Sequence, residues 1–359
     1  MRFSKVIASL TIILAIFSAS QAPRVIQHDD DDVKGSCGTM RFNEAYRTER
    51  VHILGNANAT AEHEWPWMLL LRVRSDSKYV EVCGASLVQV CKSRRQSDML
   101  VTAAHCVTGF NNVTKVTYIV PYQNVTIVAG TPTVTKFSPS RQILAVEKII
   151  VHPDYQRNVK KSTFIYDIAI LKLSAPIMFN VNVRAICLPN GRIGLPMKET
   201  QCWMAGWGAT NLDPWNTTDV LLKSRRQILT AEACKSMCNK NESHIVDAIY
   251  SKALICTHPL ITRKGEYAGP GDSGGPLMCK DHKTGRWILH GVLKGVNAYL
   301  DHASNKTIID FDMHVSTLKH LAWIKQIVAN NSGICRICKP RFNLIRKRGS
   351  CKWSQFDPK

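Results

Sequence analysis

Three strings of this 359-residue chain carry residue types that could act on one another. In Gly271-Asp272-Ser273-Gly274-Gly275-Pro276 a serine stands between glycines, which let the backbone turn sharply and present the hydroxyl from a cramped loop. Such a loop also leaves backbone N–H groups free to face an oxyanion. A serine hydroxyl is a poor nucleophile alone and needs a histidine base with a carboxylate to orient it. Val101-Thr102-Ala103-Ala104-His105-Cys106 offers the base, and Asp167-Ile168-Ala169-Ile170-Leu171 offers the carboxylate on an apolar strand. The chemistry would be attack of Ser273 on a carbonyl, with His105 carrying the proton and Asp167 holding the imidazole. The N–H groups of Gly271 and Ser273 would receive the oxyanion. Taken singly, the glycine string could be a turn, His105 a core histidine and Asp167 a strand-end carboxylate. Three such strings in one chain outweigh those readings.

The order His, Asp, Ser with these flanks resembles the trypsin/chymotrypsin family of serine proteases, peptidase S1, over roughly Ile53 to Asn331. The resemblance implies an all-β fold, a chymotrypsin-like pair of antiparallel six-stranded β-barrels with a C-terminal helix. It also implies a secreted serine endopeptidase that cleaves protein or peptide substrates through an acyl-enzyme, meets protease inhibitors, and needs no cofactor. The first barrel is expected from about Trp67 to Leu173, with partly alternating strands such as Met68 to Arg72 and Ala145 to Val151. The second contains Cys202-Trp203-Met204-Ala205-Gly206-Trp207-Gly208. A helix from Ser316 to Val328 places Leu321, Ile324 and Val328 on one buried face. The family pattern also implies bridges Cys83–Cys106, Cys37–Cys187 and Cys202–Cys279. It leaves Cys256 to pair with Cys234 or Cys238.

In relatives a cut after a basic residue frees an isoleucine, whose amino group pairs with the aspartate before the nucleophile. Ile53 and Asp272 would be that zymogen switch, worked by an activating protease. Here, however, His52 precedes Ile53, and Arg50 lies two residues earlier. Either the pocket accepts a longer terminus, or a protease of another specificity cuts after His52, or activation fails. The substrate-binding residues also depart from the pattern. Tyr267 stands where an aspartate gives trypsin-like cleavage, and Gly269 replaces a half-cystine, so a bracing disulfide is expected to be missing. After Val292-Leu293, relatives continue Ser-Trp-Gly, whereas this chain has Lys294-Gly295-Val296. Lys294 could pair with Asp167 and weaken its hold on His105, or snorkel to solvent. Asp310 and Asp312 fall near the strand that lines the opposite pocket wall in relatives, where one of them could offer a charge to basic substrates. These departures keep a second reading open, a protease-like regulatory or binding protein without efficient turnover.

Residues 1–22 read as a secretory signal: Arg2 and Lys5, an apolar run, then Ser20-Gln21-Ala22. That run is too short to serve as a transmembrane anchor. Seven Asn-x-Ser/Thr sequons, at Asn58, Asn112, Asn124, Asn216, Asn241, Asn305 and Asn330, suit a secreted, extracellular glycoprotein. Thirteen cysteines point to disulfides, and the odd number leaves one free or bound to another chain. Residues 23–52 form a pro-segment with the acidic run Asp29 to Asp32. The protease domain takes 53–331. The tail 332–359 holds Cys335, Cys338 and Cys351 among basic residues. It reads either as a disulfide-stapled extension for anionic glycans or surfaces, or as a disordered basic tail. The net charge of +20 suits such partners or simple solubility. Nucleic acid is not expected as a partner, since the chain carries no module for it. No metal is expected either, because Val107 to Val146 contains no Asp or Glu to offer calcium.

Overall fold

The structure is a computed structural model. It describes residues 37–40, 58–60, 63–74, 80–90, 93, 95–155, 165–190, 194, 196, 200–210, 217–238, 243–260, 267–301 and 306–336. The chain forms two closed antiparallel barrels of six strands each. In the first half β1 (Asn58–Ala59), β2 (Met68–Arg74), β3 (Val80–Leu87), β4 (Gln96–Thr102), β5 (Thr108–Asn111), β6 (Val116–Ile119), β7 (Val125–Ala129), β8 (Gln142–Val151) and β9 (Ala169–Met178) follow in order. Of these, β2-β3-β4-β9-β8-β7 close the first barrel, and β5 with β6 forms a separate hairpin.

The second half supplies β10 (Cys202–Gly206), β11 (Leu222–Ile228), β12 (Leu254–Pro259), β13 (Pro276–Lys280), β14 (Trp287–Asp301) and β15 (Lys306–Ser316). These run β11-β10-β13-β14-β15-β12 and close by pairing β12 with β11, while β1 adds to one end of β11. Helices α1 (Ala231–Met237) and α2 (Ser243–Tyr250) fill the β11–β12 connection, and α3 (Leu321–Asn331) and α4 (Gly333–Arg336) follow β15.

The alternation expected at the start of β2 is not observed, since Met68 to Leu71 are all buried. A strand covered on both faces reads as a continuous apolar run rather than a two-residue period. By contrast β11 alternates strictly: Leu222, Ser224, Arg226 and Ile228 point inward while Lys223, Arg225 and Gln227 lie nearer solvent. A single apolar core cluster runs through both barrels, from Leu69 and Leu100 to Val292 and Val315. Polar contacts cross the same seam. The Trp67 indole N–H points at Met278 Sδ, 2.8 Å away, and Gly84 N–H donates to the Ser273 carbonyl at 2.7 Å.

The expected bridges Cys37–Cys187, Cys83–Cys106 and Cys202–Cys279 form, and Cys256 takes Cys234. Cys238 keeps a thiol that donates to the Cys234 carbonyl. Thr230 caps α1 by accepting the Ala233 N–H, which seats Cys234 for its bridge. The last long helix starts at Leu321 rather than Ser316, because Ser316 still belongs to β15 and the buried Thr317 hydroxyl donates to Leu289. Its buried face is the expected Leu321, Ile324 and Val328.

Beyond α3 the chain remains packed. Asp98 on β4 accepts the Ser332 hydroxyl at 2.6 Å and the Gly333 N–H at 2.8 Å. Cys335 is buried and disulfide-bonded, to a partner outside the described residues. The first residues of the expected tail are therefore part of the folded body. Cys338 and Cys351 lie outside the described residues, as do the signal and nearly all of the pro-segment. Among the described residues no helix is long and apolar enough to cross a membrane.

Candidate active site

The first barrel carries the candidate base, His105, and the candidate carboxylate, Asp167. A short 3₁₀ turn, Ala104–Val107, follows β4 and carries His105, pinned by the bridge from Cys106 to Cys83 on β3. In the chain-entropy account a loop of this size is worth roughly 3 kcal/mol. Asp167 sits just before β9, which pairs with β4, so the strand pairing brings the two segments together. Asp167 Oδ2 lies 2.7 Å from His105 Nδ1, and Oδ1 accepts the His105 backbone N–H at 2.8 Å. Burial alone would raise the Asp167 carboxyl. The facing His105, through its charge and both hydrogen bonds, and then Lys294, take it below the ordinary carboxylate range. An ionised Asp167 can only accept, so His105 carries its hydrogen on Nδ1, which makes Nε2 the acceptor nitrogen of the ring.

The second barrel supplies the serine. Gly274 has φ of +78°, and a Cβ there would collide with Thr102 Oγ1 and the Gly84 carbonyl. Only glycine lets the serine loop press this closely onto β3 and β4 of the other barrel. Ser273 is thus held against Gly84, whose neighbour Cys83 bridges to the residue after His105. Within the loop the N–H groups of Asp272, Gly274 and Gly275 donate to carbonyls of Gly269, Leu293 and Asp272. Those of Gly271 and Ser273 meet no acceptor among the described residues. These two are the N–H groups that the sequence nominates for an oxyanion.

Asp272 is buried and its carboxylate is engaged at both oxygens. Its Oδ1 accepts the Gly208 N–H at 2.7 Å and its Oδ2 the Gly269 N–H at 3.0 Å. A Cβ on Gly206 or Gly208 would collide with the carboxylate, so this glycine pair forms its seat. Burial pushes the Asp272 carboxyl up to about 6, against the pull of both N–H groups and of Arg226. A small cleft of about 30 Å³ opens beside it between Gly206, Gly208, Leu222 and Tyr267. Ile53 lies outside the described residues.

Of the expected substrate-binding residues, Gly295 and Val296 continue β14 and pair with Met313 and Asp312 of β15. Lys294 occupies the register shift between Leu293 and Gly295, and such a bulge re-aims a side chain. Its positive field reaches Asp167. Tyr267 donates its hydroxyl to His258 Nε2 at 2.7 Å, because His258 Nδ1 bonds the Pro259 carbonyl. Burial, and after it the Asp312 charge, raises the Tyr267 phenol, so it remains a donor.

Asp312 does not present a charge to the cleft. It is fully buried, accepts the Ala268 N–H at 2.8 Å, and lies 3.1 Å from Nη2 of Arg226. Sequence reasoning missed Arg226, although the two-residue period of β11 sets it on the same face as Leu222 and Ile228. Cys83, His105 and Cys106 offer three ligand atoms within 4.8 Å, but the two sulfurs are bonded to each other.

The trypsin family model matches residues 54–324, which span both barrels and all three strings. The chain belongs to the trypsin family. It is also similar to ovochymase from Halocynthia roretzi, with 25% identity over 237 residues. That match takes in 66% of this chain and 13% of the ovochymase, so the chain corresponds to a small part of that protein.

Proposed function

We propose that this trypsin-family chain is a secreted serine endopeptidase, made as a zymogen, in which Ser273, His105 and Asp167 hydrolyse peptide bonds. The observation that carries the reading is the doubly bonded His105–Asp167 pair, which fixes the imidazole with Nε2 as the base. Ser273 Oγ attacks the scissile carbonyl as His105 Nε2 takes its proton. Asp167 steadies the imidazolium that forms, and the Gly271 and Ser273 N–H groups bind the oxyanion. One such donor is worth roughly 10²–10³ in rate. His105 returns the proton to the leaving amine, and water then opens the acyl-enzyme by the same steps. The buried Asp272 and its neighbouring cleft suit an N-terminal ammonium, for which Ile53 is the candidate once residues 23–52 are cut away from the domain that follows. The four described disulfides favour an oxidising compartment, in keeping with a signal at 1–22. The basic residues after 336 favour anionic surfaces.

One observation favours the second reading, a protease homologue that binds without turnover. Lys294 sits at the bulge of β14 with its field on Asp167, and a cation there offsets the carboxylate's support of a protonated His105. A serine-directed phosphonate separates the two, with Ser273→Ala as the blank. The peptidase labels at Ser273 after a cut beside His52. Failure to label in any processed form would leave the binding protein.

A further inference from the structure

Beside Ser273, two backbone segments form the walls that would flank a substrate side chain. One is 267–271, leading into the serine. The other is 294–296 of β14, joined to the serine loop by the bond from Gly274 N–H to the Leu293 carbonyl. Between them Met204, Ala268 and Leu293 are buried in one apolar cluster, with Val296 packed on it. The base of this space is charged. Asp312 sits opposite Val296 in the backbone ladder of β14 and β15, and its carboxylate accepts the Ala268 N–H, so the residue is anchored to both walls. An open pocket with that carboxylate at its base would attract cationic side chains.

It is not open, because Arg226 enters from β11. Its side chain is wholly inaccessible, Nη2 lies 3.1 Å from Asp312 Oδ2, and the same nitrogen lies 3.7 Å from Met204 Sδ. Nε and Nη1 have no hydrogen-bond partner among the described residues, an uncommon expense for a buried guanidinium. A cation seated at such cost, on the carboxylate of the residue that joins both walls, does there what a bound substrate cation would do.

We propose that Arg226 is a built-in cationic ligand of Asp312, which closes the pocket beside Ser273 to lysine and arginine side chains and reserves it for uncharged ones. The inference rests on the peptidase reading for its substrate, but the occupancy of the pocket does not depend on turnover. Tyr267, with its hydroxyl engaged by His258, limits the depth further. The substrate class is therefore proteins cut after small or uncharged residues.

The test uses the full chain carrying Ser273→Ala, with p-aminobenzamidine as a fluorescent cationic probe. The chain with Arg226 intact is expected to ignore the probe. Arg226→Ala should bind it at least tenfold more tightly, and adding Asp312→Asn should abolish the gain. Binding to the chain with Arg226 intact at the strength of the variant overturns the proposal. So does a folded Arg226→Ala, checked by near-ultraviolet circular dichroism, that still ignores the probe. If Arg226→Ala does not fold, ethylguanidinium is added. Folding restored by that cation supports the proposal. No restoration, while the neutral pair Arg226→Met/Asp312→Asn folds, counts against it. In the chain with Ser273, a peptide library should be cut after uncharged residues, and cleavage after Arg or Lys overturns the inference. A library left wholly uncut counts against the peptidase reading alone, since probe binding decides the pocket separately.

Discussion

Each barrel holds an ion pair, His105–Asp167 in the first and Arg226–Asp312 in the second, and the pairs differ in almost every respect. His105–Asp167 lies at the mouth, with the histidine side chain 27% exposed and the carboxylate engaged at both oxygens. Arg226–Asp312 lies at the base, with both side chains fully inaccessible and two guanidinium nitrogens unbonded. The first pair can gain and lose a proton, since one partner is an imidazole with an accessible face. In the second the guanidinium stays charged in proteins, and burial raises the Asp312 carboxyl against the pull of Arg226. A proton-transfer pair must remain partly wet, whereas a buried pair of fixed charges can only hold structure or exclude another charge.

The largest expected effect breaks the first pair. His105→Ala or Asp167→Asn should lower the rate of phosphonate labelling at Ser273 by roughly 10³–10⁴, with little change in melting temperature. Breaking the second pair should do the reverse. Arg226→Met leaves Asp312 buried without its cation and should cost about 3–5 kcal/mol in urea denaturation, most of it recovered by adding Asp312→Asn.

Acid sharpens the comparison further. Burial holds His290 and His320 down to about 4 and His314 to about 3. Below pH 6.5 the unfolded chain takes up protons on these histidines that the folded one refuses, so stability falls as pH drops towards 4. Asp272, raised to about 6, works in the opposite direction, because the folded chain binds its proton more readily between pH 6 and 4. The three histidines, joined by His152, which burial also lowers, outweigh Asp272 and the likewise raised Asp312, so a net loss of a few kcal/mol is expected from pH 7 to 4.5, read as a lower urea midpoint. His314→Asn should flatten part of that slope. The smallest effect concerns Lys294. Its replacement by Met relieves the positive field on Asp167 and should raise the labelling rate two- to tenfold, on the order of 1 kcal/mol.

Much of the fold was legible because its signals are local strings. The cysteines beside His105, before Trp203 and in Ala185-Ile186-Cys187 lie in strings that match the family pattern, and the three bridges that the resemblance implies do form. The choice between Cys234 and Cys238 was not legible, since both fall near the same helix and only its capped start seats Cys234. Arg226 was overlooked for a different reason. Lys223-Ser224-Arg225-Arg226-Gln227 has the composition of a solvated edge, and an inward arginine is plausible only once a carboxylate is known to await it. Asp312 comes from a strand 86 residues away, so neither residue announces the other. The hold of Asp98 on Ser332 is hidden for the same cause, a polar contact across 234 positions.

The Cys37–Cys187 link gives any processing event between residue 40 and β1 an unusual signature. Backbone continuity would end there, yet the two pieces would stay one covalent species, since the sulfurs join positions 150 residues apart. Mass and charge would barely change, and a non-reducing gel would show a single band where a reducing gel shows two. The severed piece would remain at the surface by the Gly38 contacts to Ala185 and Trp287 rather than diffuse away. A maturation event here would rearrange the molecule without shedding any of it.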